Sequence, residues 1–157
     1  MNIYDNELAH FQISITNTND DKCLKYEKAS LISDRIKSIE KLYKNGFDIS
    51  IRLSPFIIEF IDFKILNSIK CNKILIEFLK VNHFIKKCFK IDYSNYALNY
   101  GGYNNLMLEN KIEQIKNIDC FDQISVGEYV EKHYLYFKEH INYNKKDCCN
   151  LRNKYEC

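Results

Sequence analysis

The densest group of potential metal ligands lies at the end of the chain, where Asp147, Cys148, Cys149 and Cys157 follow His140. A zinc or iron site needs several thiolates or imidazoles converging on one ion, and adjacent cysteines reach a single ion only with strained geometry. Cys148, Cys149 and Cys157 are therefore weak metal candidates, and a packed or solvated tail is the competing reading. The seven cysteines contain no CxxC pair and no CxxxCxxC, so neither a zinc ribbon nor a standard iron-sulfur triad can be written from them. His83 and His133 have no Ser, Cys or Asp at a meaningful spacing and carry no hydrolase motif. Tyr100-Gly101-Gly102-Tyr103 offers backbone N–H groups to an anion, but it lacks the longer fingerprint of a phosphate loop and reads as a turn.

A different kind of site residue lies inside the apolar stretches. Arg52 alternates with Ile51 and Leu53, where an unpaired charge is costly. It needs a carboxylate, either from a ligand or from Glu77, midway along KILIEFLKV. Glu77 itself is structural or faces a substrate. Ser14 and Thr16 occupy the C-terminal part of another alternating stretch, and both are also ordinary strand residues.

The elements that must position these residues follow from periodicity. Residues 11–16 (FQISIT) alternate as a strand, and 17–21 (NTNDD) have loop composition. Between 30 and 45 the apolar residues recur at helical spacing, with Gly46 where a C-cap belongs. Residues 47–53 (FDISIRL) form a second strand, closed by Ser54-Pro55. Residues 57–69 suggest a short helix, and 73–81 a third strand. Asn82 caps a following helix. A helix over 106–118, a fourth strand over 122–126 and a polar-aromatic helix over 129–140 complete the series. Strands alternating with helices imply parallel pairing through right-handed crossovers. The expected fold class is α/β: a partial (β/α) barrel of about four parallel strand-helix units over residues 1–141, with a polar cysteine-containing tail over 142–157.

A chain of 157 residues, 46% hydrophobic and 28% charged, supports one domain with a real core. Its net charge of +2, with acids and bases interleaved, lacks the basic footprint of nonspecific nucleic-acid binding. The apolar runs are too short for a membrane span, and Met1–Asp5 lacks the basic-then-apolar pattern of a leader. Together with the odd cysteine count this predicts a cytoplasmic protein with reduced thiols and no membrane partner.

Ser14-Ile15-Thr16, Tyr26-Glu27, Arg35-Ile36, Ile39, Leu42, Gly46 and Ile51-Arg52-Leu53-Ser54-Pro55 together resemble the later strand-helix units of radical SAM enzymes. Within that superfamily they are most similar to the branch of spore photoproduct lyase and the DNA repair photolyase-like proteins. The match covers about residues 10–60, and KILIEFLKV fits the next unit more loosely. Two departures are plain. Glu27 is followed by Lys28 where family members often have proline, and the CxxxCxxC loop that binds the four-iron four-sulfur cluster is missing.

The resemblance implies half of a radical SAM barrel. Ser14 and Thr16 would face the ribose or methionine part of S-adenosylmethionine, Arg52 its carboxylate, with Ser54 nearby. Arginine suits a carboxylate because its planar fork donates two parallel hydrogen bonds. An intact relative cleaves S-adenosylmethionine reductively to a 5′-deoxyadenosyl radical. Lacking the cluster ligands, this chain would be inactive unless a separately encoded N-terminal half supplies them, and its open strand edges would be covered by that half or by a homo-oligomer. Nucleic acid enters as a partner by family analogy only, and no catalytic residue is identified. The alternative is a noncatalytic interaction module whose open half-barrel pairs with itself or with a partner.

Overall fold

The computed structural model describes residues 9–146 and residue 149. Its first strand, β1 (His10–Ile15), follows from the alternation of polar and apolar residues there. A helix, α1 (Asp20–Tyr26), begins where the composition suggests a loop. Capping explains the difference: the Asn19 side chain accepts a hydrogen bond from Lys22 N at 3.0 Å, and Asp20 and Asp21 sit against the positive end of the helix. Next, α2 (Ile32–Lys44) occupies the expected helical stretch and is followed by Gly46 at φ 78°, a left-handed conformation that favours glycine.

The second strand, β2 (Asp48–Phe56), runs through Ser54-Pro55 instead of stopping there. Its register against the following strand shifts between Leu53 and Phe56, which places the proline at an irregularity of the ladder. The apolar stretch after it divides into a 3-10 turn (Ile58–Phe60) and α3 (Phe63–Ser68), which Asp62 caps by accepting from Lys64 N at 2.9 Å.

The third strand, β3 (Lys73–Phe78), ends short of Val81, because Val81 exchanges backbone hydrogen bonds of 2.9 and 2.8 Å with Asn104 instead. Asn82 caps α4 (His83–Cys88) as expected, accepting from Phe84 N and Ile85 N. The Tyr100–Tyr103 turn closes an antiparallel ribbon of β4 (Leu98–Tyr100) and β5 (Tyr103–Asn105), with both of its glycines at positive φ. The chain continues through α5 (Leu108–Ile115), β6 (Gln123–Val126) and α6 (Glu131–His140).

Strands β1, β2, β3 and β6 form one parallel sheet in that order. Ser14, Arg52, Leu75 and Ser125 are aligned in one row, and Ile15, Leu53, Ile76 and Val126 in the next. Because side chains alternate along a strand, the two rows lie on opposite faces. The apolar face joins Ile39 of α2, Leu66 of α3, Ile115 of α5 and Phe137 of α6 in one core. Burying each such side chain stabilises the fold by roughly 1.5–3 kcal/mol. Among the described residues no helix is long and apolar enough to cross a membrane.

Candidate functional site on the polar face of the sheet

The second face carries His10, Gln12 and Ser14 from β1, Asp48, Ser50 and Arg52 from β2, Lys73 and Glu77 from β3, and Ser125 from β6. At the N-terminal ends of the strands, Asp48 binds Lys73 Nζ at 2.7 Å and His10 Nδ1 at 2.9 Å. His10 Nε2 lies 3.2 Å from Ser50 Oγ, and Gln12 Nε2 donates to the same oxygen at 3.2 Å. Burial pushes the Asp48 carboxyl up, but the hydrogen bonds and charges of Lys73 and His10 outweigh it and leave the group below its ordinary range. Asp48, His10 and Ser50 have the connectivity of a nucleophile-activating relay, assembled from two strands and so invisible as a sequence motif. Ser50 is fully buried beneath the Gln12 amide, however, and the array closes this end of the face as a satisfied polar network.

The C-terminal ends of the strands hold the residues singled out from the sequence. Arg52 Nε donates to Glu77 Oε2 at 2.7 Å, so the ion pair that is one of the two readings of Arg52 is present. Ser54 hydrogen-bonds the same carboxylate. Burial raises the Glu77 carboxyl, and Arg52, Ser54 and Lys80 more than reverse that, holding it ionised below its usual range. Glu77 lies against β6 because position 127 is glycine: a Cβ there would sit 3.1 Å from Glu77 Cγ.

Ser14, Thr16 and Ser54 line one open hollow of about 520 Å³, together with Glu27 and Arg35. Its floor is already organised. The Thr16 hydroxyl and Asn17 Nδ2 donate to Glu27 Oε1, Arg35 binds Glu27 Oε2 at 2.7 Å, and Arg35 also donates to the Ser14 carbonyl at 3.1 Å. Ser14 and Ser54 line the hollow beside Thr16, whose hydroxyl is tied to Glu27.

Beside Glu77 lies a second cluster that the sequence analysis did not single out. Lys111 Nζ binds Glu128 Oε2 and donates to His133 Nδ1 at 3.1 Å, and all three side chains are buried. Glu128 Oε1 in turn accepts from Tyr129 N and Val130 N. The signal was legible: Lys111 sits on the helical stripe of Leu108, Ile112 and Ile115, where a charge must be buried and partnered. Lys111 lines a cleft of about 220 Å³ with Glu77, Lys80, Asn105, Glu128 and Tyr129.

The chain beyond α6 returns to the sheet. Asn142 Oδ1 accepts from Val126 N at 2.8 Å, and Tyr143 N donates to Ile124 O at 2.9 Å. Farther on, Gln12 Nε2 donates to the Cys149 carbonyl at 3.4 Å. Of the tail cysteines, Cys149 is exposed, and Cys148 and Cys157 lie outside the described residues. Cys23 and Cys71 are buried, Cys88 and Cys120 are exposed, and no three His, Cys, Asp or Glu side chains converge as a metal site among the described residues. No family model, curated protein or solved structure matches the chain.

Proposed function

We propose that this chain is the C-terminal portion of a radical SAM enzyme, a half-barrel whose polar face is the interior and whose strand ends bind S-adenosylmethionine. The observation that carries the reading is convergence. Ser14, Arg52 and Ser54, which the resemblance implies as cofactor contacts, and Glu77, expected from the sequence as a partner for Arg52, share one face of a sequentially ordered parallel sheet at the strand ends where barrel enzymes place their sites. Among the described residues no three metal-ligating side chains converge, so in this reading the four-iron four-sulfur cluster is held outside them.

The donors in and beside the hollow suit S-adenosylmethionine, with Arg52 on the same face of the sheet and outside the hollow's lining. Ser14 and Ser54 would bond the ribose or the amino-acid part, and Thr16 stays tied to Glu27 at the floor. Arg52 spends its Nε on Glu77, and its terminal nitrogens would take the methionine carboxylate. When bound, S-adenosylmethionine supplies the family's alkyl-radical precursor. This chain's residues bind and orient it, and Glu77 fixes the plane of the arginine fork.

Equilibrium dialysis with labelled S-adenosylmethionine tests the proposal. Saturable binding is expected, weakened about tenfold by Arg52→Ala because a charge-assisted pair is lost. Absence of binding both to the purified chain and to the chain assembled with a cluster-bearing partner would sink it. The chain alone should make no 5′-deoxyadenosine, and turnover by it would overturn the expected division of labour.

The interaction-module reading has one observation in its favour. Gln123 and Gly127 donate toward β3, so the backbone groups of Ile124 and Val126 face the other edge of the strand, where Asn142 and Tyr143 meet them. Among the described residues β1 has a strand neighbour on one side only. Pairing through β1 would form a dimer, and sedimentation across a concentration series distinguishes it from a monomer.

A further inference from the structure

We propose that the cleft lined by Lys111 and Lys80 is a site for a small carbonyl acid of the 2-oxo acid type, with Lys111 forming an imine to its carbonyl carbon and Lys80 holding its carboxylate. The inference stands on Lys111 of α5, Lys80 just after β3 and the segment between β6 and α6, and does not depend on the S-adenosylmethionine reading.

An amine becomes a nucleophile when its charged form is disfavoured, and desolvation or a neighbouring cation does this. Lys111 has both. Its side chain is 1% exposed, packed with Nζ 5.3 Å from the centre of the Phe78 ring, and Lys80 lines the same cleft. Burial lowers the Lys111 ammonium most, Glu128 raises it, and Lys80 lowers it again, with a net shift below the usual lysine range. His133 is shifted down too, by burial and then by Lys111 against the pull of Glu128, which favours a neutral ring whose Nδ1 accepts the hydrogen bond from Lys111.

The geometry separates the roles. Lys80 Nζ rests 3.7 Å from the centre of the Tyr129 ring, with its end in the cleft mouth. Tyr129 is held by Asn105, which donates to its hydroxyl at 2.8 Å, and by the Tyr100 carbonyl, which accepts from it at 3.0 Å. A cleft of about 220 Å³ admits a compound of a few heavy atoms and no nucleotide. Lys111 first passes a proton to Glu128 or His133. Its lone pair then forms the nitrogen–carbon bond while the carbonyl π pair moves to oxygen. The oxygen leaves as water, carrying the two protons of the neutral amine with Glu128 as carrier, and the products are the imine and one water.

The test is reductive trapping of the full chain with glyoxylate and borohydride, followed by peptide mapping. The carboxymethyl adduct should accumulate on Lys111 at least about tenfold faster than on the exposed lysines Lys37 and Lys116. Modification of Lys111 no faster than theirs overturns the proposal. This readout needs no variant and so does not depend on whether a Lys111 substitution folds. Lys80→Ala should slow trapping by glyoxylate at least about tenfold more than it slows trapping by acetaldehyde, which loses only the effect of the neighbouring charge on Lys111. Equal loss with both probes, or with neither, overturns the assignment of Lys80 to the carboxylate.

Discussion

Two ion pairs stand side by side at the upper end of the sheet, and they differ in what surrounds them. Arg52 and Glu77 are 44% and 31% exposed, whereas Lys111 and Glu128 are 1% and 3% exposed. The first pair sits on strands and keeps donors pointing outward. The second sits between α5 and the start of α6, with a histidine and two backbone N–H groups completing its bonds. Water can replace either member of the exposed pair. Neither member of the buried one has such a substitute, since a charge left alone there loses its solvation as well as its partner.

The largest expected effect breaks the buried pair. Glu128→Ala should cost about 3–5 kcal/mol in chemical denaturation, because it strands Lys111 and frees the N–H groups of Tyr129 and Val130. A loss under about 1 kcal/mol would mean that the cluster is solvated in solution. At the opposite end of the face, Asp48→Asn should cost about 1–3 kcal/mol at neutral pH by weakening the bonds from Lys73 and His10. The pH dependence has a definite sign. Asp48 is depressed in the folded state, so its stabilisation is present above the ordinary aspartate value of about 3.9 and is lost as pH falls through the folded value. The asparagine variant should lack that part of the acid limb in a urea series read against pH.

Glu77→Gln, on the exposed pair, should change stability by about 1 kcal/mol or less, with its effect appearing in ligand affinity through a loosened Arg52. The smallest change belongs to Lys37→Ala, whose partner Asp34 is itself exposed; a shift beyond about 0.5 kcal/mol there would put the whole ranking by burial in doubt.

Much of the sheet was legible in the sequence because alternation is a short-range signal. Phe11, Ile13 and Ile15, or Ile49, Ile51 and Leu53, declare an apolar face without reference to any distant residue. The same parity put Ser14 and Arg52 on the polar side. What escaped depends on pairings the sequence does not print. Asp20 starts a helix because Asn19 folds back on Lys22 N, and Val81 leaves its strand because Asn104 offers two hydrogen bonds. His10, Asp48 and Ser50 become one network only when β1 and β2 fix their register. Lys111 is marked by its place on the apolar stripe of α5, whereas Glu128, in the segment between β6 and α6, carries no such periodic signal and becomes the partner of Lys111 only once the fold brings them together.

The outer edge of β6 has a consequence for assembly. Asn142 presents its amide oxygen to Val126 N and Tyr143 its amide to the Ile124 carbonyl, so an incoming strand would find those two groups taken. Among the described residues β1 has a strand neighbour on one side only, so strand pairing in the proposed dimer would have a valency of one. Two such sheets meeting at β1 satisfy each other and stop, whereas two open flanks would permit run-on growth into fibres. The short return of the chain after α6 occupies the β6 edge, and in the proposed dimer it would limit strand-mediated association to pairs.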